Sequence, residues 1–195
     1  MFRKIAACSV VCLLLTAPAA YGQPSGKSAA PAPMPPAAAK PGAYGTPADV
    51  AYAKAAWASL KAYRLVGPDR YTPYPTKSEN PHGNVVQILA GTIKVKGRST
   101  RVIVKSNHRS AGLTPAMVAD DAQKFHSDTA VMIKREKGFD AASADWFWVV
   151  YKPDGSVLQH DGKAVAGRID TGTDAGCIGC HRKYGGKDFE TLTTR

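Results

Sequence analysis

The sequence has 195 residues, which is the size of one ordinary domain once any targeting segment is removed. It carries 26 basic and 15 acidic side chains, giving a formal net charge of +11. The cations are spread along the chain rather than clustered, so they indicate a solvated surface or one that steers an acidic redox partner, and not a nucleic-acid-binding patch.

The first residues have the pattern of a secretory signal. Met1–Lys4 is basic, Ile5–Leu15 is an apolar run of eleven residues, and Ala20–Gly22 is a small-x-small cleavage site. Eleven apolar residues are too few to span a bilayer. Residues 1–22 are therefore expected to be a signal peptide that directs the protein to the periplasm, where no nucleic-acid partner is expected.

Cleavage before Gln23 would change the charge and the cysteine content. It would remove two basic residues and no acid, lowering the net charge from +11 to +9. Cys8 and Cys12 would leave with the signal, so the mature chain would keep only Cys177 and Cys180. Residues 23–47, rich in Pro, Ala, Gly and Ser, predict an extended linker to a single domain over residues 48–195.

The domain begins with a helical pattern and continues with strand patterns. Apolar residues at helical spacing follow Ala48 and stop at Gly67-Pro68. A turn-rich loop is expected over 67–83, and Thr114-Pro115 opens a helix to about Phe125. Strands are expected over 85–89, 92–96, 100–105, 130–133, 146–151 and 156–159, with a helix over 177–184. The predicted fold class is α+β, a mostly antiparallel sheet with a few helices.

The segment Cys177-Ile178-Gly179-Cys180-His181 has the spacing of a covalent haem attachment site. Two thiols separated by two residues can both add to the vinyl groups of one haem. The histidine directly after the second cysteine then lies beneath the iron and becomes its proximal ligand. Secretion agrees with this reading, because c-type haem is attached outside the cytoplasm in bacteria. One covalent haem c is therefore expected.

Two other chemistries use the same pair of cysteines. A zinc site needs further ligands at matched spacing, and the sequence offers none. A redox dithiol of the thioredoxin type is expected after a strand in a βαβ unit. Neither context is predicted here, so the sequence favours haem attachment.

The sixth iron position would decide the role of such a haem, because a methionine or second histidine there gives an electron carrier and an open position gives ligand binding or chemistry. Neither methionine of the domain follows the haem motif, and both have helix or strand patterns typical of core residues. The sequence therefore favours an open position. The candidates for an occupied one are Met117, Met132, His82, His108, His126 and His160.

An ordered series of segments precedes the haem motif. These segments are Pro81-His82-Gly83, Val131-Met132-Ile133-Lys134-Arg135, Gly138-Phe139-Asp140, Asp145-Trp146-Phe147-Trp148 and Pro153-Asp154-Gly155. With this series the chain resembles the cytochrome P-460 family over roughly residues 80–190. The resemblance implies a mostly antiparallel β fold with one haem, a five-coordinate iron with a proximal histidine, and a homodimer. Members oxidise hydroxylamine, and the related cytochromes c′-beta bind nitric oxide and similar gases.

The resemblance also implies a lysine linked covalently to the haem in catalytic members. Arg101-Val102-Ile103-Val104-Lys105 occupies the place of the family's strand that ends in this lysine, so Lys105 is the candidate. Ser106 stands where the family has Glu. Alternation along a strand puts Ile103 and Lys105 on one face, from which Lys105 could reach a buried macrocycle. An exposed lysine at a strand end is the alternative, with Lys94 and Lys96 as weaker candidates for the link.

Hydroxylamine oxidation also needs a proton acceptor near the substrate. Asp170 and Asp174 lie shortly before the haem motif, where some catalytic members carry a carboxylate, although a solvated loop is the simpler reading for each. Arg168 and His82 are further candidate neighbours of a bound ligand. Phe125, Phe139 and Phe147 are candidates for an aromatic cap over it.

Three functions follow from these observations. The first is a periplasmic haem oxidoreductase acting on hydroxylamine or a related small nitrogen species. The second is a protein that binds nitric oxide or a similar gas in an apolar pocket. The third is a mono-haem electron carrier with a sixth protein ligand. Linkage of Lys105 to the haem separates the first from the second, and a sixth ligand separates the third from both.

Overall fold

A computed structural model describes residues 44–79, 81–170, 176–185 and 188–190. The expected signal peptide and most of the expected linker lie outside these residues. The helices are α1 (Pro47–Ala62), α2 (Pro115–Asp120), α3 (Ala122–Phe125) and α4 (Gly176–Tyr184). The strands are β1 (Thr76–Lys77), β2 (Val85–Val95), β3 (Arg98–His108), β4 (His126–Lys134), β5 (Trp146–Tyr151), β6 (Gln159–His160), β7 (Lys163–Ala164) and β8 (Ala166–Gly167). None of the described helices is both long and apolar enough to cross a membrane.

Helix α1 starts with a complete capping box. The Thr46 side chain accepts a hydrogen bond from the Asp49 backbone N–H at 3.2 Å, and the Asp49 carboxylate accepts one from the Thr46 N–H at 3.1 Å. Pro47 occupies the first helical turn, where its missing N–H costs nothing. The helix ends at Ala62, a little before the expected stop at Gly67-Pro68, and Arg64 follows with a left-handed φ of 57°.

The fold class predicted from the sequence is confirmed. Six strands form one sheet in the order β1-β2-β3-β4-β5-β8, and every pairing between them is antiparallel. The central hairpin turns at Lys96 and Gly97, whose φ angles of 48° and 81° suit a two-residue turn. The strands expected separately over 85–89 and 92–96 are one strand, because Gly91 keeps its place opposite Val102.

Two other sequence expectations are corrected. The helix expected to about Phe125 is divided at Asp121, which has φ −147° and ψ 84° and accepts a hydrogen bond from Lys124 N at 3.1 Å as the cap of α3. The strand expected over 156–159 is reduced to a single bridge between Val157 and Tyr151, followed by the two-residue β6. Short-range capping by Asp121 therefore prevails over a continuous helix.

The sheet is buried on both faces, and alternate residues of its strands serve different clusters. The face toward α1, called the α1 face, carries Val102 and Val104 of β3 and Phe147 of β5, packed with Leu60 of the helix. The opposite face, called the α4 face, carries Ile103, Met132, Trp146 and Trp148, packed with Ile178 of α4. The domain thus has a conventional core on one side of the sheet and the cysteine-bearing helix on the other.

Candidate functional site

A cavity of about 640 Å³ lies on the α4 face. Its volume falls within the range of about 300–1,000 Å³ that is common for cofactor and ligand sites. Much of its wall is apolar, including Ile103, Met132 and Ile169. Tyr44 closes one edge, because it forms a bridge with Gly167 of β8 while Gly45 N donates to Ala166 O at 2.6 Å.

Helix α4 brings the motif residues together in this cavity. Cys177, Cys180 and His181 are separated by three and four helical positions, so they share one face of α4. All three line the cavity, and both thiols are free. The helix places two nucleophilic sulfurs and one imidazole around a single space, as attachment of one macrocycle requires.

His181 is oriented by a backbone carbonyl. Its Nδ1 lies 2.7 Å from Phe189 O, and because a carbonyl only accepts, Nδ1 carries the proton and Nε2 keeps its lone pair. Burial lowers the pKa of His181 to about 4, against the raising effect of the Phe189 carbonyl, and the charge of Lys105 lowers it further. A neutral ring with its second nitrogen fixed in this way is the usual form of a metal-binding histidine.

The environment of the cysteines differs from that of a redox dithiol. Burial raises the pKa of the Cys177 thiol to about 12, and the neighbouring Cys180 raises it further, whereas reactive dithiols have lowered pKa values. Among the residues that the structure describes, no three His, Cys, Asp or Glu side chains cluster as ligands for a bare metal ion. The strands that the structure describes pair antiparallel, with no βαβ unit among them. These observations weaken both alternatives to haem attachment.

Lys105 lies in the same cavity. It is only 7% exposed, and β3 continues beyond it to His108, so the expectation of an exposed lysine at a strand end is wrong. Burial lowers the pKa of its ammonium group to about 8, opposed by its interaction with Cys180. Ile103 lines the cavity beside it, as the alternation along β3 predicts. The neighbouring Ser106 faces a different cavity.

The other lysine candidates lie elsewhere. Lys94 is exposed on β2. Lys96 is at the hairpin turn and lines a groove on the α1 face with Arg98 and Arg135. The structure therefore brings Lys105, and neither of its two alternatives, to the cysteines.

The acidic candidates are placed less directly. The Asp170 carboxylate is half-buried and accepts a hydrogen bond from Arg182 Nη2 of α4 at 3.3 Å. Its neighbour Ile169 lines the cavity. Asp174 lies outside the described residues. Asp170 therefore contacts α4 through Arg182, and it is not among the described residues that line the cavity.

The aromatic cap expected from Phe125, Phe139 and Phe147 is wrong. Phe139 and Phe147 pack on the α1 face, and Arg168 stacks over Phe139 at 4.7 Å, so Arg168 also lies away from the cavity. Phe125 packs in a small cluster under α2. Trp148, whose ring centroid is 4.7 Å from that of His181, lines the cavity instead, together with Tyr44 at its edge. Its alternation with Phe147 along β5 was the signal for it.

The candidates for a sixth iron ligand fall into two groups. Met132, His82 and His160 line the cavity, and His160 is exposed at its edge. Met117 is exposed on α2, while His108 and His126 pack together away from the cavity with ring centroids 5.7 Å apart. Burial lowers the pKa of His82 to about 4, and the nearby Lys105 and His181 lower it further.

Comparisons of the chain with protein-family models, with curated proteins and with solved structures found no match. The assignment of a function therefore depends on the motif, the cavity and the side chains that meet in it. Those side chains are Cys177, Cys180, His181, Lys105 and His82.

Proposed function

We propose that the protein is a periplasmic mono-haem protein that oxidises hydroxylamine or a related small nitrogen compound. In this proposal the haem is attached through Cys177 and Cys180, and His181 is the proximal iron ligand. The observation that carries it is the convergence of two free thiols, an imidazole with its Nε2 lone pair kept, and a buried lysine in one cavity of about 640 Å³.

The residues of the cavity fit a covalent haem. The two sulfurs of α4 would hold the macrocycle. The His181 imidazole, which is oriented by the Phe189 carbonyl, would hold the iron. A bound haem would supply an iron centre that accepts electrons from a small substrate. Ile103 and Met132 give the cavity apolar walls that exclude water and favour small ligands of low charge.

Lys105 would determine which branch of the resembled family the protein follows. An amine with a pKa of about 8 is partly uncharged near neutral pH, and only the uncharged amine has a lone pair for bond formation. Lys105 shares its cavity with both cysteines. We therefore propose Lys105 as the side chain linked to the haem, with the resemblance to cytochrome P-460 as the reason for expecting such a link. Joining Nζ to a carbon of the macrocycle would break one N–H and one C–H bond and release two protons and two electrons, which an external two-electron oxidant of the peroxide class would accept.

A gas-binding protein is the second candidate. The apolar walls favour uncharged diatomic ligands such as nitric oxide as much as they favour hydroxylamine. Among the described residues, the cavity is lined by Lys105 and three histidines and by no carboxylate, and Asp174 is not one of the described residues. Hydroxylamine oxidation needs a base beside the substrate, and gas binding does not. Absence of the lysine link would favour this second candidate.

The test is an optical spectrum of the full chain expressed with a c-type haem attachment system. A pyridine haemochrome assay should report one covalent haem, lost when Cys177 and Cys180 are both changed to Ser. The ferrous protein should have a strongly red-shifted Soret band. Lys105→Met should abolish the shift, and hydroxylamine-dependent reduction of an electron acceptor should fall with it.

Lys94→Met is the matched control, because Lys94 is an exposed strand lysine on the neighbouring β2. It should keep the red shift. Loss of the shift in Lys94→Met but not in Lys105→Met would show that Lys94, and not Lys105, is the linked lysine. An ordinary Soret band in the unchanged protein would contradict the link and favour gas binding, and absence of covalent haem would contradict both candidates.

A further inference from the structure

Another cavity, of about 500 Å³, lies on the α1 face of the sheet and is called the Arg70 cavity here. Its floor is polar. Ser106 and Thr129 line it and are direct partners across β3 and β4, and Gln87 of β2 is the partner of Ser106 on the other side. None of the three is more than 3% exposed. Earlier positions of the same face are apolar, among them Val104 and Val131, so this buried polar row is a local departure from the core pattern.

Arg70 supplies a positive charge beside this floor. Its Nη2 donates a hydrogen bond to Gln87 Oε1 at 2.8 Å, and Gln87 Nε2 donates one to Pro73 O at 2.8 Å. Both bonds fix the guanidinium next to the strand partner of Ser106, and directly paired strand residues have Cβ atoms about 4.5–5.5 Å apart. Arg70 and Ser106 therefore border the same part of the cavity.

The charge of Arg70 is not balanced within the described part of the chain. Arg70 forms no ion pair with a carboxylate of the described residues, and its buried Nη1 has no hydrogen-bond partner among them. Burial lowers the pKa of the guanidinium, and its charge adds to the effect of burial in lowering the pKa of His126, which also lines the cavity. The Ser106 hydroxyl likewise makes no hydrogen bond to a described residue. A partly buried cation without a counter-ion is unfavourable, so the site lacks an acceptor of negative charge.

The remaining walls restrict the kind of anion that fits. Trp57, Val66 and Pro68 give the cavity an apolar side, and its volume leaves room for an organic body beside a charged group. Asp120 and Asp121 also line it and are exposed, so they would repel an anion that carries more than one charge. The walls together favour one negative charge attached to an apolar body.

We propose that the Arg70 cavity binds a small organic acid through its single carboxylate. The carboxylate pairs with Arg70 and accepts a hydrogen bond from Ser106, while the apolar body packs against Trp57. A guanidinium has five N–H donors, and the contact with Gln87 uses one of them, so donors remain for a carboxylate. The site lies on the opposite face of the sheet from the cysteines and does not depend on the haem of the proposed function.

The experiment measures binding of benzoate to the full chain by titration calorimetry. Benzoate has one carboxylate on a flat apolar body, benzamide has the same shape without the charge, and inorganic phosphate has charge without the apolar body. Benzoate should bind at one site, about tenfold or more tighter than either of the others, because a hydrogen bond to a charged group is stronger than one between neutral groups. Equal affinities for benzoate and benzamide, or for benzoate and phosphate, would contradict the proposal.

Three variants locate the site. Arg70→Met should weaken benzoate binding about tenfold or more, because it removes the charge and keeps an apolar stem. Arg64→Met is the matched control, because Arg64 is an exposed arginine of the same loop that does not line the cavity, and it should bind benzoate like the unchanged protein. Ser106→Glu places a tethered carboxylate beside Arg70 and should abolish benzoate binding. Thermal unfolding first establishes that each variant is folded.

Absence of benzoate binding in the unchanged protein would overturn the proposal, and so would full affinity in Arg70→Met or in Ser106→Glu. Either of these variants decides the question if the other does not fold. A change of the Soret band on addition of benzoate would place the ligand in the cavity of the cysteines and would also overturn it. Benzoate binding that depends on Arg70 in a chain without haem would support the site while overturning the proposed function.

Discussion

Gly155 shows how strongly a single residue can depend on its surroundings. It has φ +87° in the turn after β5, and a Cβ there would overlap the Trp57 indole of α1. Gly97 has a similar φ of +81°, but a Cβ there would meet nothing within 4 Å. The two glycines therefore share the backbone requirement and differ in the close approach of a neighbour.

We expect Gly155→Ala to lower the free energy of unfolding by more than Gly97→Ala. Both substitutions place alanine in left-handed backbone, which costs about 1–3 kcal/mol. Gly155→Ala adds steric overlap with a packed side chain, which costs about 1–3 kcal/mol more. Urea unfolding of the two variants measures the difference. An equal loss in both would mean that Trp57 moves aside at no cost.

At the scale of elements, Tyr151 connects α1 to the sheet. It is fully buried on β5, and its hydroxyl donates a hydrogen bond to Ala53 O of α1 at 2.8 Å. Its ring packs on Trp57 with centroids 4.7 Å apart. Burial raises the pKa of its phenol, with a smaller contribution from Tyr52, so the group stays protonated and keeps donating.

Tyr151→Phe should therefore lower the free energy of unfolding by about 1–2 kcal/mol, the usual loss for a buried hydrogen bond between neutral groups. Tyr71→Phe is the control, because Tyr71 is 54% exposed, and its stability should not change. The comparison is made by thermal and urea unfolding. If Tyr151→Phe unfolds like the unchanged protein, the hydroxyl does not contribute to the docking of α1.

Elements with local signals were predictable from the sequence. Helical spacing predicted the start of α1 at Ala48, one residue after its observed start at Pro47, although the cap Thr46 was assigned to the linker. The aromatic and β-branched run over 146–151 marks β5, because alternation acts within a few residues. The continuity of β2 through Gly91 was not predictable, because it depends on pairing with β3. Cross-strand pairing overrides the weak local preference of a single glycine.

The candidate site was predictable in part for the same reason. The motif of α4 fixes the spacing of Cys177, Cys180 and His181 within one turn of helix. The burial of Lys105 depends on packing between β3 and α4, which are far apart in the sequence. The place of His82 depends on contacts with Arg109 and His108, which no local pattern reveals.

For the whole molecule, a buried polar group at one end of the sheet contributes to the response to acid. His108 is fully buried, and its Nε2 lies 3.2 Å from Gln87 Oε1, which also accepts a hydrogen bond from Arg70 at 2.8 Å. Burial lowers the pKa of His108 to about 4, and the neighbouring His126 and Arg70 lower it further. The folded protein therefore holds this ring neutral at pH values where the unfolded chain protonates it.

The stability that depends on His108 should be full above about pH 6.5 and should be lost as the pH falls to about 4. The loss should reach about 3 kcal/mol, because each unit of pKa difference corresponds to about 1.4 kcal/mol. Urea unfolding between pH 7 and pH 4 measures it. His108→Gln should make the pH dependence shallower, and His160→Gln, at an exposed histidine, should leave it unchanged. An unaltered slope in His108→Gln would assign the acid response to other groups.

The division of the sheet into an α1 face and an α4 face has a consequence for insertions and deletions. Along β3, Val102 and Val104 face one way and Ile103 and Lys105 face the other. One residue added before Val102 would slide the strand by one position and exchange every side chain between the faces. The amine would then enter the hydrocarbon core while valines faced the cysteines. A shift of register of this kind would cost the molecule its stability and its site together.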